Sequence, residues 1–113
     1  MTDCLFCKIS KHELPSKIEY EDGDIIAFDD IHPKAPVHIL IVPKKHIKSV
    51  NELKKKDTEL MGKVILVAQK LAEEKGVAES GYKLVFNVGR GGGQIVDHLH
   101  LHLLAGQGLK DIV

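Results

Sequence analysis

Three histidines alternate with leucines near the end of the sequence, in the run His98-Leu-His100-Leu-His102-Leu-Leu. In a β-strand this alternation sends the three imidazoles to one face and the intervening leucines to the other, where they can pack on a core. The opposite face then presents a row of bases that carry protons near neutral pH. Alternating histidines on a strand also ligate zinc, and a polar strand face needs no chemistry at all, so the run alone leaves all three readings open.

A glycine-rich loop, Gly-Arg-Gly-Gly-Gly-Gln at 89–94, directly precedes the histidines. Glycine lets backbone amides approach an anion without obstruction by a Cβ atom. Arg90 would either add a positive charge or point to solvent. Such loops are also common in hairpins for turn reasons alone, so it is the adjacency to the histidines that predicts a phosphate site.

Two cysteines, Cys4 and Cys7, form a C-x-x-C pair. This spacing supplies half of a tetrahedral zinc site, which needs two further ligands, and His12, His32 and His38 are among the imidazoles that the chain offers. A redox pair would be expected after a strand at the start of a helix, which fits this position less well. An accidental pairing stays open.

Composition narrows the class of protein. A chain of 113 residues, 43% of them hydrophobic, is expected to form a single domain over residues 1–113. Sixteen Lys plus Arg balance sixteen Asp plus Glu, so no global field favours nucleic acid or a membrane surface. The sequence shows no apolar run of signal-peptide or membrane-spanning length, and two cysteines in such a chain are expected to be reduced. We therefore expect a soluble cytoplasmic protein.

The elements that must position these residues follow from hydrophobic periodicity. Two short β-prone runs, 18–20 and 25–28, flank Glu-Asp-Gly-Asp and predict a hairpin in which Gly23 supplies a positive φ. The apolar run 38–42 predicts a central strand covered on both faces. Two further strands, 82–88 and 95–104, are joined by the glycine loop and so should be antiparallel neighbours.

One long helix is predicted from Asp57 to Lys75, with Asp57 as N-cap and Gly76 as the left-handed C-cap. Its apolar stripe recurs at three and four residues and comprises Leu60, Met61, Val64, Ile65, Ala68, Leu71 and Ala72. A shorter helix is expected to start at Ser49. The fold class is therefore α+β: an antiparallel sheet of about five strands with one long helix and one short helix.

Three further stretches accompany the run 98–104: Phe-Asp-Asp-Ile-His-Pro-Lys-Ala-Pro at 28–36, Val-Pro-Lys-Lys-His-Ile at 42–47, and the stretch from Asn87 to Gln94. With these motifs the chain resembles, over nearly its whole length, the Hint branch of the histidine triad superfamily. The resemblance implies the histidine triad fold and a homodimer that binds a purine nucleoside monophosphate unit. The implied activity is hydrolysis of nucleoside phosphoramidates or related nucleotidyl bonds.

The resemblance also implies catalytic roles. His100, the middle histidine, would attack the α-phosphorus and form a nucleotidyl-histidine intermediate that water resolves. His102 would contact phosphate oxygens and assist proton transfer, while His98 and His46 would orient the others. No metal is required for this chemistry.

A nucleotide site is implied in the same way. Asp30 would accept hydrogen bonds from the ribose hydroxyls, although a carboxylate there also suits a turn. The phosphate side would include Asn87, the Gly93 amide and the backbone amide of Ile95, which stands where many relatives carry a serine. The implied base slot comprises Phe6, Ile9, Phe28 and Ile31, and for the last two ordinary core packing is an equal alternative.

Some bacterial-type relatives carry the same cysteine pair, with a structural zinc completed by residues that match His46 and His98 here. Two other functions stay open: a dinucleoside polyphosphate hydrolase of the Fhit-like branch, and a zinc-stabilised nucleotide-binding scaffold without catalysis. The cysteine pair and Val-Pro-Lys-Lys-His favour the Hint branch. The tail after Leu104 is short and lacks the aromatic extension of some relatives, so specificity set by that extension does not carry over.

Overall fold

Five strands and two α-helices form the part of the chain described by the computed structural model, residues 4–106 and 109. In chain order they are α1 (Leu5–Ser10), β1 (Ile18–Glu21), β2 (Ile25–Asp29), β3 (Val37–Pro43), α2 (Thr58–Glu74), β4 (Lys83–Phe86) and β5 (Leu101–Ala105). The sheet order is β1-β2-β3-β5-β4 and every neighbouring pair is antiparallel. This confirms the predicted α+β class.

The sheet separates two apolar layers. Alternate residues of the strands, such as Ala27, Ile41 and Leu103, face α2 and form the larger core with it. Their neighbours Phe28 and Leu40 lie on the other face and pack with α1 in a smaller cluster. Because strand side chains alternate between faces, Leu101 and Leu103 of β5 face α2, and His102 faces the α1 side.

The predicted long helix is confirmed to within one residue at each end. Gly76 has the expected positive φ of 73° beyond its C-terminus. Asp57 occupies the N-cap position, but its side chain bonds outside the helix, to the Lys54 backbone and the Lys45 ammonium. The apolar stripe was wrong at one position: Ile65 is exposed, and Val67 is buried instead.

The hairpin and central strand are confirmed, since β1 and β2 pair and β3 lies in the middle of the sheet. Gly23 does not have a positive φ, so the predicted turn conformation is wrong. Asp22 makes the turn by another route: its carboxylate accepts hydrogen bonds from the backbone amides of Asp24 (2.7 Å) and Ile25 (2.9 Å).

The last two strands are shorter than predicted. β4 covers Lys83–Phe86, and β5 begins at Leu101 rather than at residue 95. His98 and His100 therefore precede the strand, and His102 alone of the three lies in it. Residues 95–100 do not continue the paired strand: the Leu99 amide donates to the Ile47 carbonyl at 2.6 Å, and the His98 ring donates to the carbonyl of Pro43 at the end of β3.

The short helix expected at Ser49 is a single 3-10 turn, Val50–Glu52, whose N-cap is Ser49. The N-terminal helix α1 was not predicted. No helix in the described ranges is long and apolar enough to span a membrane. Residues 107, 108 and 110–113 of the C-terminal tail lie outside the described residues. The expectation that the tail lacks an aromatic extension concerns mostly these residues.

Candidate active site

His100 lies on the α1 side of the sheet, where it contacts Phe6, and it is buried, with 8% of its surface exposed. Its Nδ1 lies 2.7 Å from the carbonyl oxygen of His98, and a carbonyl can only accept, so Nδ1 carries the proton. Burial lowers the pKa of His100, which keeps the ring neutral near pH 7. The remaining nitrogen, Nε2, therefore carries a free lone pair and can act as a nucleophile.

His102 has the opposite tautomer because of His38. The Lys34 backbone amide donates to His38 Nδ1 (3.0 Å), so the proton of a neutral His38 is on Nε2. That Nε2–H donates to His102 Nδ1 at 2.9 Å, which leaves the His102 proton on its own Nε2. Burial lowers the pKa of His102 to about 4 and also lowers that of His38, so both rings are neutral.

The two rings are neighbours, with centroids 4.9 Å apart. One imidazole thus offers a nucleophilic lone pair and the adjacent one offers an N–H donor. A phosphoryl group between them could be attacked by the first and held by the second.

Asp30 lies next to this pair, after β2. Its Oδ1 accepts from the His32 backbone amide at 2.8 Å, which confirms the turn role considered from the sequence. Its Oδ2 is 3.5 Å from His38 Nε2, too long for a strong hydrogen bond but close enough to favour positive charge on His38. The carboxylate keeps 21% side-chain exposure, so it is still accessible to a ligand.

Three of the four residues predicted for a base slot lie together. Phe6, Ile9 and Phe28 are buried in the smaller apolar cluster, where the Phe6 and Phe28 rings meet edge-on at 5.4 Å. Phe6 also contacts the His100 ring at a centroid distance of 4.9 Å. Ile31 is 79% exposed, so core packing does not apply to it, and Ile95 is 83% exposed.

The glycine loop uses several of its amides internally. The Gly93 amide donates to the Arg90 carbonyl (3.0 Å), and the Gly89 amide donates to the Gln94 side chain (2.9 Å). Asn87 holds the loop by donating to the Gly92 carbonyl at 2.8 Å. Contact between the Gly93 amide and a phosphate would therefore require its present hydrogen bond to break. Arg90 forms an ion pair with Asp97 at 3.0 Å.

A second group of side chains, Cys4, Cys7, His46 and His98, converges beside the triad and could hold a metal ion. His98 Nδ1 lies 3.3 Å from Cys4 Sγ, 3.5 Å from Cys7 Sγ and 3.2 Å from His46 Nδ1. Ligands around a tetrahedral zinc are separated by about 3.3–3.7 Å, given bond lengths of about 2.0–2.3 Å. The donor set and its spacing therefore fit zinc.

The tautomer of His98 supports that fit. Its Nε2 donates to the Pro43 carbonyl at 2.7 Å, so the Nδ1 lone pair points at the two sulfur atoms. Asp30, His38 and His102 form another possible metal group. There the two imidazole nitrogens are 2.9 Å apart, which matches a hydrogen bond better than two ligands of one ion.

Known proteins resemble the sequence of this chain over almost its whole length. The family model described as "Scavenger mRNA decapping enzyme C-term binding" matches residues 3–111. A purine nucleoside phosphoramidase of Escherichia coli K12 is 47% identical over 107 residues, which cover 95% of this chain and 90% of that protein. The chain belongs to the histidine triad family.

Solved structures of the histidine triad family have the same fold. A HIT family hydrolase from Legionella pneumophila Philadelphia 1 superimposes with a TM-score of 0.95 at 50% identity, covering 97% of this chain and 98% of that one. A histidine triad protein from Clostridium difficile also gives 0.95, at 43% identity and with 100% and 98% coverage. The fold of this histidine triad protein is therefore that of its relatives.

The sequence predicts His38 as the start of a strand and as a possible metal ligand, but it predicts no role for His38 in the active site. The available signal was a histidine opening an otherwise apolar run. A buried imidazole in such a strand needs a hydrogen-bond partner, and here the partner is His102.

Proposed function

We propose that this histidine triad protein hydrolyses purine nucleoside 5'-phosphoramidates through a nucleotidyl-histidine intermediate. One observation carries the proposal: two neutral imidazoles lie side by side with opposite tautomers, His100 with a free Nε2 and His102 with a protonated Nε2. The phosphoramidase name of a relative that is 47% identical supports the substrate class.

In the first step His100 Nε2 attacks the α-phosphorus, and the bond from phosphorus to the amine nitrogen breaks. The amine leaves with a proton taken from a water molecule, while the neutral His102 keeps its single proton and donates a hydrogen bond from Nε2–H to a phosphoryl oxygen. The positive charge that develops on the His100 ring is stabilised by the His98 carbonyl, which accepts from Nδ1–H.

In the second step the hydroxide left by that water attacks phosphorus, the bond to His100 Nε2 breaks, and a nucleoside monophosphate is released. In the same proposal Asp30 accepts from the ribose hydroxyls, and the base lies against the exposed Ile31 beside the buried cluster that contains Phe6, Ile9 and Phe28.

A turnover assay comparing adenosine and guanosine phosphoramidates with diadenosine polyphosphates tests this function. We expect the phosphoramidates to be the better substrates, whereas preference for the dinucleotides would favour a Fhit-like hydrolase. Binding of mononucleotides without turnover of either class would favour the scaffold function.

His100→Ala should abolish turnover and leave binding of a nucleoside monophosphate largely intact, because it removes the nucleophile and not the pocket. His12→Ala is the matched control, since His12 is an exposed histidine paired with Glu21. Turnover of the His100 variant within about tenfold of the parent, roughly 1.4 kcal/mol of barrier, would contradict the assignment.

We also propose that Cys4, Cys7, His46 and His98 hold one structural zinc. When bound, the ion would tie α1 to the histidine segment and to the loop after β3. His100 and His102 are not in this group of ligands, so zinc is not required for the chemistry itself.

Finally, we infer a homodimer formed through the outer edge of β4, which is an edge strand of the sheet within residues 4–106 and 109. Leu84 on this edge strand is 37% exposed, and Ile65 and Leu66 of α2 are also exposed. An edge strand with an exposed leucine is a favourable surface for pairing with a second copy.

Free thiols arranged as metal ligands support a reducing, cytoplasmic location. The balanced charge supports a protein without membrane or nucleic-acid partners.

A further inference from the structure

Positive charge is concentrated in one segment of this otherwise neutral chain. Residues 44–56 contain six lysines and a single acidic residue, Glu52. Two of the lysines are neutralised, Lys44 by Glu21 at 2.8 Å and Lys45 by Asp57 at 2.7 Å. Within residues 4–106 and 109, no ion pair involves the other four, which are Lys48, Lys54, Lys55 and Lys56.

Three of these unpaired lysines surround one cavity. The cavity has a volume of about 370 Å³ and is open to solvent, with residues 45–48 on one wall and Glu52, Lys54, Lys56 and Asp57 on the other. Its volume falls within the range of about 300–1,000 Å³ typical of small-ligand sites. The charged side chains that line it are Lys45, Lys48, Lys54, Lys56, Glu52 and Asp57.

Asp57 does not neutralise the cavity, because its carboxylate is already engaged. It is 4% exposed and accepts from the Lys45 ammonium and from the Lys54 backbone amide. Glu52 is therefore the one lining carboxylate left to offset the ammonium groups of Lys48, Lys54 and Lys56. The cavity has an excess of unpaired donors that suit an anion with several charges.

The walls of the cavity are held in place from both sides. The Lys45–Asp57 ion pair joins one wall to the other. The Gln94 side chain donates to the Lys48 carbonyl at 2.7 Å, and the Leu99 amide donates to the Ile47 carbonyl at 2.6 Å. A site whose backbone is fixed before the ligand arrives loses less entropy on binding.

We propose that this cavity binds a short chain of linked phosphoryl groups. Such a chain presents anionic oxygens along its length, so three lysine ammonium groups on two walls can each meet a different phosphoryl group. A single small anion would reach fewer of them. The site is separate from the triad, since His98, His100 and His102 do not line it, and it does not depend on the proposed phosphoramidase chemistry.

Calorimetry tests the proposal: the protein is titrated with inorganic tripolyphosphate at low ionic strength, and the heat of binding is measured. We expect one site per chain, with binding that weakens as salt is added. Lys48→Gln and Lys56→Gln should each weaken binding by about tenfold through loss of a charge-assisted hydrogen bond. Lys55→Gln is the matched control: it removes the same charge next to Lys56, from a side chain that does not line the cavity.

Several outcomes would overturn the proposal. Absence of binding is one, and equal weakening by the Lys55 and Lys56 variants is another, since that would show unspecific attraction to a basic surface. Tripolyphosphate also chelates metals, so binding that persists unchanged in both cavity variants would indicate the cysteine–histidine cluster instead. A single-stranded oligonucleotide that binds with the same lysine dependence while tripolyphosphate does not would identify a nucleic-acid surface.

The titration repeated with His100→Ala separates this site from the proposed active site. The affinity for tripolyphosphate should be the same as in the parent, whether or not the protein turns over phosphoramidates.

Discussion

Backbone groups determine which nitrogen of each buried imidazole carries its proton. The His98 carbonyl fixes His100, the Pro43 carbonyl fixes His98, and the Lys34 amide fixes His38, which in turn fixes His102. Because burial keeps these rings neutral, a tautomer set by one hydrogen bond is retained. The chemical difference between His100 and His102 therefore comes from the surrounding chain, since the residues themselves are identical.

His38 is consequently expected to be a positioning residue. His38→Phe keeps a ring in the site but removes the Nε2–H that His102 Nδ1 accepts, so His102 can exchange tautomers and lose its donor. We expect kcat to fall by about 100-fold with little change in nucleotide affinity.

His38→Gln is the informative control, because its amide nitrogen can replace the His38 Nε2 donor, and it should recover part of the lost kcat. Steady-state kinetics over a pH range measure both variants. A His38→Phe enzyme with normal kcat would show that the bond to His102 has no part in turnover.

At the scale of elements, the apolar pattern predicted the pieces that lie in the apolar layers. β2 and β3 are nearly continuous apolar runs covered on both faces, whereas α2 repeats at about 3.6 residues, and the structure places all three almost at the predicted bounds. The alternation of the histidine run also assigned Leu101 and His102 to opposite faces correctly. These are local consequences of strand and helix geometry.

Other elements depend on distant partners and were not predictable. α1 has six residues, too few for a clear period, and it is held by contacts of Cys4 and Phe6 with the histidine segment. The start of β5 was misplaced because the His98 ring and the Leu99 amide bond to Pro43 and Ile47, at and just after the end of β3, instead of continuing the ladder of paired strands. The sequence predicts that the amides of the glycine loop are available to an anion, whereas the 3-10 turn at Arg90–Gly92 uses several of them in its own hydrogen bonds.

The prediction about assembly concerns β4, an edge strand of the sheet among the described residues. We expect the protein to sediment at the mass of two chains and Leu84→Lys to shift it toward one, because a charge on this strand opposes pairing of two edges. Leu14→Lys is the control, since Leu14 is equally exposed, at 37%, but lies in the segment before β1. Sedimentation equilibrium gives the masses. A parent protein at the mass of one chain, or equal dissociation by both variants, would contradict a β4 interface.

At the scale of the whole molecule, the proposed zinc joins three distant parts of the chain. Removing it should lower the melting temperature by about 10 °C or more, because apolar contacts alone would then hold α1. Turnover by the molecules that remain folded should change little, since His100 is not a ligand.

Three measurements test the role of the proposed zinc. Elemental analysis of protein purified without added metal gives the zinc content, and melting temperature and turnover are then compared with and without a chelator. If stoichiometric zinc is absent even after reconstitution, the cysteines have another role. Loss of activity at unchanged stability would instead indicate a catalytic metal.

Acid should destabilise the fold through its buried imidazoles. The pKa of His102 falls from 6.5 to about 4 on burial, so between these values the unfolded chain binds more protons than the folded one. The free energy of unfolding therefore decreases as pH is lowered from 6.5 toward 4. The ring faces His100, His38, Asp30 and Lys34, and of these only Asp30 favours its protonation.

Thermal melts from pH 7 to 4.5 measure this loss, and His102→Gln should lose less stability over the same range than the parent. Parallel curves for the two proteins would assign the acid sensitivity to other groups, including the cysteine–histidine cluster.

During synthesis α1 leaves the ribosome long before the last of the residues that it packs against. Cys4 and Cys7 precede His98 by 94 and 91 residues, and the Phe6 ring rests on His100. β2 and β3, which contact α1 through Phe28 and Leu40, are made early, but the ribosome must produce almost the whole chain before His98 and His100 can cover this segment. Until then the two thiols lack His98 on the nascent chain, where oxidants and metals reach them before that histidine does.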